Sequence, residues 1–287
     1  MLMSGKVCVV TGASSGIGKA TAIGLARLGA IVVPVMRSPS PRAESSLSEI
    51  KTAQGDGGAS VSAMYADLSS QDSIREFAAK FCGSFERLDV LINNAGVSCS
   101  KRTLTVDGLE TTFAVNVLAP FLLTNLLLEK LKSSAPSRVV NVSSDSANGQ
   151  KVDFDNLQGE KKFSMLSSYG TSKLELNLIT VELSRRLTGT KVTANFLHPG
   201  VIRTNLIRDM NPAARAIFSF VKLFFLSPDR GARTSIYLAS SPEVEEMNGK
   251  FFSKEREARA PAESYDAEVA MRLWQKCEEL THTKTLT

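Results

Sequence analysis

Cysteine, histidine and tryptophan are scarce in this sequence. The 287 residues include four cysteines, two histidines and one tryptophan. The cysteines lie far apart, and none has the CxxC spacing that is typical of metal and redox sites. We therefore expect no metal centre and no disulfide framework. Scattered thiols of this kind are typical of a reducing compartment, so the sequence predicts a cytoplasmic protein.

We expect no targeting or membrane-anchoring segment in this sequence. The first apolar run, Val7 to Val10, is too short for a signal peptide or an anchor because a glycine turn follows at once. The apolar and aromatic run from Ile217 to Leu226 is shorter than the roughly 20 residues that span a bilayer. The sequence therefore predicts no transmembrane segment and leaves a peripheral membrane contact open.

Positive charge is not concentrated in clusters. The formal net charge is +5, and the sequence pI is about 9.0. Because the lysines and arginines are spread out and not interleaved with aromatic motifs, we expect no nucleic-acid partner. The mild positive balance suits an anionic ligand such as a phosphorylated cofactor. A hydrophobic content of 43% is enough for one large α/β domain or two small ones.

A strand, a glycine-rich turn and a helix follow one another near the N-terminus. The apolar strand Lys6–Val10 precedes the turn, a helical pattern runs from Lys19 to Leu28, and a second strand is Ile31–Met36. Glycines let the backbone approach a ligand, and the first-turn N–H groups and the helix dipole favour negative charge. The unit predicts a dinucleotide phosphate site, formed by Gly12, Ser14, Ser15, Gly16, Ile17 and Gly18.

The ends of the next two strands bear on the choice of dinucleotide. A NAD site usually has a carboxylate at the end of the second strand, whereas a basic residue there pairs with a 2′-phosphate. This chain has Arg37, which favours NADP(H) over NAD(H); the alternative is a solvated loop arginine. After the strand Val61–Tyr65, Asp67 is followed by Leu68. Asp67 either accepts from the adenine amino group or caps the helix that begins near Gln71.

Small and amide residues follow the strand Val90–Ile92. They allow close approach of a ribose and are Asn94, Ala95 and Gly96. A long apolar helical pattern then runs from Asp107 to Leu131, with Asn116 in its middle. Asparagine is a poor residue for a helix interior and needs partners when it is buried. Two interpretations of Asn116 therefore remain. Either it stabilises a backbone kink and a water, or it is a satisfied core amide.

Two serines and a tyrosine–lysine pair are the candidates for chemistry. Ser143 and Ser144 end a predicted strand, where a hydroxyl either binds a substrate carbonyl or caps the backbone. Tyr169 and Lys173 are four residues apart in a long helical pattern, so they share a face. An ammonium beneath the phenol favours the phenolate and lowers the phenol pKa from about 10. A solvated surface pair is the alternative.

The predicted strand Lys191–Phe196 runs into a proline–glycine turn that passes the reactive end of the cofactor. The contacts predicted there are Pro199, Gly200, Ile202 and Thr204. His198 precedes the proline and is interpreted as structural, not as a base. The apolar segment 205–230 predicts a lid over a pocket for a lipophilic compound, with a core helix, a subunit interface and a membrane contact as alternatives. Residues 254–287 form a C-terminal extension that packs on the body or on a neighbouring subunit.

These motifs occur in order along almost the whole chain, and together they resemble the short-chain dehydrogenase/reductase family. The matching motifs are the glycine turn, Asn93-Asn94-Ala95-Gly96, Asn116, Ser143-Ser144, Tyr169 with Lys173, and Pro199-Gly200. Further motifs resemble the retinol dehydrogenase branch more narrowly, and they include Val139 to Ser144, Asn156 to Lys161, Ser184 to Leu187, His198-Pro199-Gly200, and Met271 to Trp274.

The resemblance implies one Rossmann-type, doubly wound α/β domain over residues 1–287, with seven parallel strands in the order 3-2-1-4-5-6-7. It also implies that Tyr169 donates and accepts a proton, Lys173 lowers its pKa and binds the nicotinamide ribose, Asn116 holds a relay water, and Ser144 is the catalytic serine. The expected function is NADP(H)-dependent interconversion of a lipophilic carbonyl compound, such as retinal, and its alcohol.

Two alternatives remain open: a steroid or polyketide-type ketone as substrate, and a catalytically weak NADP-sensing or scaffold protein. The chain departs from the family pattern in a Ser144-to-Tyr169 gap about twice the usual length. It also lacks the N-terminal anchor of membrane-bound members, and Ala13-Ser14-Ser15 stands where many retinol dehydrogenases have an asparagine. The apolar helices suit pairing in a homodimer or homotetramer as well as cover by the chain itself.

Overall fold

An eight-stranded sheet forms the centre of the computed structural model, which describes residues 1–54, 63–200 and 227–284. The strand order is β3-β2-β1-β4-β5-β6-β7-β8, and all neighbours are parallel except β7 and β8. The strands are β1 Val7–Thr11, β2 Ile31–Met36, β3 Met64–Tyr65, β4 Val90–Asn93, β5 Ser137–Val142, β6 Val192–His198, β7 Phe251–Ser253 and β8 Arg256–Ala258. The order reverses at β1 and β4, which places a ligand crevice at their carboxyl ends.

Helices cover both faces of this sheet. They are α1 Gly16–Arg27, α2 Pro41–Gln54, α3 Gln71–Ser84, α4 Thr111–Ser133, α5 Met165–Arg186, α6 Pro228–Ser240 and α7 Ala267–Thr281. One hydrophobic cluster joins the sheet to α3, α4, α5 and α7, and a second joins it to α1, α2 and α6. The central strands are buried on both faces, which explains why they are continuous apolar runs. The predicted doubly wound α/β domain is confirmed.

The predicted order of seven strands is confirmed, and an eighth strand extends it at one edge. Lys254 and Glu255 join β7 to β8 and have φ angles of 54° and 61°. Two consecutive positive φ angles are the geometry of the tight hairpin turn that matches the twist of its flanking strands. The turn folds β8 back antiparallel to β7, with Ser253 opposite Arg256.

The helix predicted from Asp107 starts later than expected. Glu110 caps α4, since its carboxylate accepts hydrogen bonds from the N–H groups of Thr112 and Phe113 at 2.9 and 2.7 Å. Within α4, the stretch Ala114–Leu118 is wound as a π-helix. Such stretches insert an extra residue into a helical turn and are frequent at functional sites. Of the two alternatives for Asn116, the backbone kink corresponds to this π-helical turn.

The apolar faces of α4 and α5 are covered by the chain itself. Trp274 of α7 is 1% exposed and packs edge-on against Phe121 of α4, with ring centroids 4.8 Å apart. The guanidinium of Arg186, at the end of α5, lies 4.6 Å from the centroid of the same tryptophan ring. Among the described residues, α4 is the one helix long and apolar enough to cross a membrane, and 83% of its apolar window is buried. In this fold α4 is a core helix.

The predicted lid does not fall within the part of the chain that the structure describes. Of segment 205–230, only residues 227–230 are described, and Pro228 there begins α6. The predicted contacts Ile202 and Thr204 likewise lie outside the described residues. The C-terminal extension is described to residue 284, and its helix α7 packs on the body of the domain.

Candidate active site

The turn between β1 and α1 is a backbone cradle in which Gly18 has no room for a side chain. A Cβ atom at Gly18 would lie 2.5 Å from the Gly12 carbonyl oxygen and even nearer to Nδ2 of Asn94. Ser15, the N-cap of α1, makes no side-chain capping bond, and the first turn of α1 has no acidic residue. Among the described residues, the first-turn N–H groups are thus left for an anion, as a dinucleotide pyrophosphate requires.

Thr11 holds the end of β4 against this cradle. Its hydroxyl oxygen accepts from the N–H groups of Asn94 and Ala95 at 3.0 and 3.1 Å, and Nδ2 of Asn94 donates to its carbonyl oxygen at 2.8 Å. Thr11 is not among the predicted site residues, although its place at the carboxyl end of β1 was a usable signal. A Cβ at Gly96 would lie 3.4 Å from Nζ of Lys173, so the glycine leaves room beside the ammonium.

Arg37 and Asp67 lie side by side at the ends of β2 and β3. Nε of Arg37 is 4.0 Å from Oδ1 of Asp67, and the two side chains are 69% and 44% exposed. Oδ1 of Asp67 also accepts from the N–H and hydroxyl groups of Ser69 at 3.0 and 2.7 Å. Partial burial raises the pKa of Asp67, but these hydrogen bonds and the Arg37 charge outweigh it and hold that pKa below its usual value.

Asp67 does not cap the helix that follows it. The N-cap of α3 is Ser70, whose hydroxyl oxygen accepts from the N–H of Ser73 at 3.3 Å. The capping alternative for Asp67 is therefore wrong, because its carboxylate bonds within the preceding turn. The neighbouring Leu68 is partly buried and packs against the larger hydrophobic cluster, so its side chain supports this edge of the sheet.

The two serines at the end of β5 have different partners. Ser143 is buried, and its hydroxyl donates to Oδ1 of Asn177 at 2.6 Å. The hydroxyl of Ser144 lies close enough to the phenol of Tyr169 to lower its pKa, and it accepts from the N–H of Ser146 at 3.2 Å. The structure thus places Ser144, the second of the pair, beside the candidate proton donor.

Lys173 is buried below this pair on α5. The helix predicted from Ser167 to Leu187 begins at Met165 and ends at Arg186. The Lys173 ammonium donates to the Val142 carbonyl oxygen at 2.9 Å and lies 5.6 Å from the centroid of the Tyr169 ring. Burial lowers the pKa of Lys173 to about 8.

The pKa of Tyr169 moves in the opposite direction to the prediction. Burial raises it to about 12, and only the hydrogen bond with Ser144 works against that rise. The predicted lowering by Lys173 is not found; its ammonium donates to the Val142 carbonyl oxygen and lies 5.6 Å from the centroid of the phenol ring. The phenol of this structure is therefore a firmly protonated acid at neutral pH.

Asn116 occupies the middle of the π-helical stretch and is fully buried. Its Oδ1 accepts from the N–H of Val97 at 2.8 Å, and its Nδ2 donates to the Val97 carbonyl oxygen and to the Ser172 hydroxyl, both at 2.9 Å. The side chain is thus a satisfied amide that joins the loop after β4 to α5. The relay water predicted for Asn116 stays a prediction.

The long connection between β5 and α5 is anchored to α4 and α7. Oε1 of Gln158 accepts from the N–H of Glu110 at 3.0 Å, which ties the connection to the start of α4. The guanidinium of Arg272 on α7 lies 4.0 Å from the ring centroid of Phe154. A Cβ at Gly170 would lie 2.6 Å from the Ser146 carbonyl oxygen, so this glycine lets the connection approach the helix of Tyr169.

The turn after β6 completes the described part of the site. Pro199 follows the last residue of the strand, His198, and Gly200 has a φ angle of 89°, which favours glycine. The His198 imidazole has both nitrogens beside Asp145, in agreement with a structural role.

Comparisons with known proteins show which family this chain is similar to. Residues 6–215 match the family model for the short chain dehydrogenases. Retinol dehydrogenase 14 of Mus musculus is 45% identical over 284 residues, which cover 95% of this chain and 85% of that protein. Retinol dehydrogenase 13 of Homo sapiens is 43% identical over 96% of this chain and 84% of its own.

Solved structures agree with the fold. The crystal structure of an uncharacterized protein from Mycobacterium Paratuberculosis superposes with a TM-score of 0.77 and 32% identity, covering 99% of this chain and 96% of that one. A short chain dehydrogenase from Burkholderia cenocepacia J2315, in complex with NADP, has a TM-score of 0.70 and 27% identity over 88% of this chain and 97% of its own. The chain therefore belongs to the short chain dehydrogenase family, on its retinol dehydrogenase branch, and is an oxidoreductase of carbonyl and alcohol groups.

Proposed function

We propose that the protein is an NADP(H)-dependent reductase of a lipophilic aldehyde or ketone, with retinal-like compounds as its substrate class. The observation that carries the proposal is the position of the Ser144 hydroxyl beside the Tyr169 phenol, above the buried Lys173 and at the same sheet edge as the glycine cradle. The substrate class comes from the relatives, since two retinol dehydrogenases share 45% and 43% identity with nearly the whole chain.

The residues around β1 and β2 suit a phosphorylated dinucleotide. The uncapped first turn of α1 would hold the pyrophosphate, and Arg37 would pair with a 2′-phosphate. Gly96 leaves space beside Lys173, whose ammonium would bind the nicotinamide ribose. When bound, NADPH supplies the hydride that reduces the carbonyl carbon.

Three side chains would handle the substrate oxygen and its proton. Ser144 donates a hydrogen bond to the carbonyl oxygen, and Tyr169 gives that oxygen its proton. With a pKa of about 12, the Tyr169 phenol arrives protonated, as reduction requires. Lys173 is largely charged below pH of about 8, so its ammonium would hold the nicotinamide ribose beside the phenol. Asn116 joins the loop after β4 to α5 beside this site, and a water held there would return a proton to the phenol.

The apolar segment 205–230 would form the lid over a lipophilic substrate. A cytoplasmic location is part of the same proposal. Its basis is the scattered thiols of the sequence.

The test is an assay of purified protein with NADPH or NADH against all-trans-retinal, a medium-chain aldehyde and a steroid ketone. We expect turnover of retinal with NADPH and much slower turnover with NADH. Faster reduction of the steroid ketone would favour the steroid alternative. Tight NADPH binding with no turnover across the panel would contradict the proposal and favour an NADP-sensing or scaffold protein.

A further inference from the structure

The imidazole of His198 continues the pairing of β5 and β6 beyond the end of their main-chain ladder. The last ladder bond runs from the N–H of Ser143 to the Leu197 carbonyl oxygen, at 2.8 Å. Two residues further on, the N–H of Asp145 donates to Nδ1 of His198 at 3.2 Å. Nε2 of the same ring lies 3.2 Å from Oδ2 of Asp145. A side chain thus supplies the acceptor that the neighbouring strand no longer offers.

These contacts define the state of the ring. Nδ1 accepts a hydrogen bond, so it carries no proton, and the proton of the neutral ring is on Nε2, which lies 3.2 Å from Oδ2 of Asp145. Burial lowers the pKa of His198 and outweighs the Asp145 charge, which raises it. The lowered pKa agrees with a neutral ring. The His198 side chain is 10% exposed, so water competes little for the bond at Nδ1, whereas the Asp145 carboxylate is 59% exposed.

Each of the two residues in this contact is the sequence neighbour of a residue that the proposed function uses. Ser144 immediately precedes Asp145, and Pro199 immediately follows His198. Asp145 begins a short 3-10 turn, Asp145–Ala147, for which Ser144 is the N-cap. A three-residue turn has little stability of its own, so the position of the Ser144 hydroxyl depends on how the turn is anchored.

We propose that His198 is a positioning residue: through the Asp145 backbone, it holds the Ser144 hydroxyl at the Tyr169 phenol and at a fixed distance from the Pro199 turn. Its effect on turnover rests on the proposed function, whereas the contact itself does not. His198 takes no part in proton transfer. A displacement of about 1 Å in such a group costs roughly 100-fold in rate, so a contact outside the reacting atoms has a large kinetic effect.

Three substitutions separate the roles of the two ring nitrogens. In His198→Asn, the side-chain Oδ1 takes the place of Nδ1 as acceptor for the Asp145 N–H. In His198→Gln, the longer amide reaches the carboxylate but not that N–H, and His198→Leu keeps the volume without either bond. With all-trans-retinal and NADPH, we expect Gln and Leu to lower kcat by about 10- to 100-fold and Asn by less than about threefold. The KM for NADPH should stay within about twofold in all three, because the cofactor contacts are untouched.

A double-mutant cycle asks whether His198 acts through Ser144. Once Ser144→Ala has removed the hydroxyl, His198→Gln should lower kcat by less than about a further twofold, because the group it positions is gone. Losses that multiply in the double variant would overturn the proposal. An equal loss in Asn, Gln and Leu would also overturn it, since the Nδ1 acceptor would then be irrelevant.

Hydrogen exchange of the Asp145 amide, followed by NMR, tests the contact without any substrate. We expect exchange in His198→Gln and His198→Leu to be at least about 10-fold faster than in the wild type and in His198→Asn, with the Ser143 amide unchanged as the ladder control. Unchanged Asp145 exchange in the Gln variant would overturn the proposal. A wild-type protein that reduces no carbonyl would instead contradict the proposed function and leave the exchange result to decide on the contact.

Discussion

The Ser144 hydroxyl lies beside the Tyr169 phenol and lowers its pKa, whereas the hydroxyl of the adjacent Ser143 donates to Asn177, away from the phenol. We therefore expect Ser144→Ala to lower turnover by about 100-fold and, because Ser144 is also the N-cap of a 3-10 turn, to lower stability by about 0.5–1 kcal/mol. Ser143→Ala should keep turnover within about threefold but lower stability by about 1–3 kcal/mol, because it leaves the buried Asn177 oxygen unpaired. Steady-state kinetics and urea unfolding of both variants check this, and the reverse pattern would assign the catalytic role to Ser143.

Removal of the Tyr169 hydroxyl separates binding from chemistry. Tyr169→Phe should lower turnover by about 1,000-fold or more, because the carbonyl oxygen loses its proton donor. NADPH binding, measured by fluorescence titration, should be unchanged. The control is Tyr237→Phe. Tyr237 lies on α6, and its hydroxyl donates to the Glu243 carboxylate in an exposed hydrogen bond. Near-normal turnover in Tyr169→Phe would show that another group protonates the product.

Arg37 should discriminate between the two dinucleotides. Arg37→Ala should weaken NADPH binding by about 10- to 100-fold, the usual value of a charge-assisted hydrogen bond, and change NADH binding little. Arg27→Ala is the matched control. Arg27 lies in the last turn of α1, whereas the glycine cradle is at its start, so the substitution should change the binding of neither cofactor. Calorimetric titrations give both affinities. An equal loss for NADPH and NADH would contradict the phosphate-clamp assignment.

Burial of Lys173 predicts how turnover depends on pH. Its pKa is lowered from 10.5 to about 8, so its charge is present below that pH and is lost as pH rises through it. The phenol of Tyr169, with a pKa of about 12, stays protonated over this range. The kcat/KM for retinal reduction should therefore fall above pH of about 8. In Lys173→Arg the remaining activity should not fall there, because a guanidinium keeps its proton; a decline at the same pH would point to another group.

Gly18 should tolerate no side chain, because a Cβ would lie 2.5 Å from the Gly12 carbonyl oxygen. Gly18→Ala should lower stability and weaken NADPH binding by at least about 10-fold, since the backbone that faces the pyrophosphate must shift. Gly83, on the exposed end of α3, has nothing within 4 Å of its Cβ position. Gly83→Ala should leave binding unchanged and raise stability by about 0.5–1 kcal/mol. Normal NADPH affinity in Gly18→Ala would contradict the cradle.

The sequence alone was enough for the layout of the domain and for the edge that carries the site. Strands buried on both faces must be apolar, and they stand out as short runs such as Val7 to Val10. Because all the central strands are parallel, the residues that follow them meet at one edge, which brings Gly12, Asn94, Ser144 and Pro199 together. Periodicity and the conformational limits of glycine are local properties, so they can be predicted without coordinates.

The tertiary structure alone decided where the polar side chains point. The Ser143 hydroxyl is bonded to Asn177, which is 34 residues away in the sequence. The Lys173 ammonium is bonded to the carbonyl oxygen of Val142, which is 31 residues away. The last strand also escaped prediction, since Lys254 and Glu255 adopt positive φ angles without the usual Asn-Gly signal. A hydroxyl or an ammonium has several partners of similar energy within reach, and the fold chooses among them by bringing one close and burying the rest.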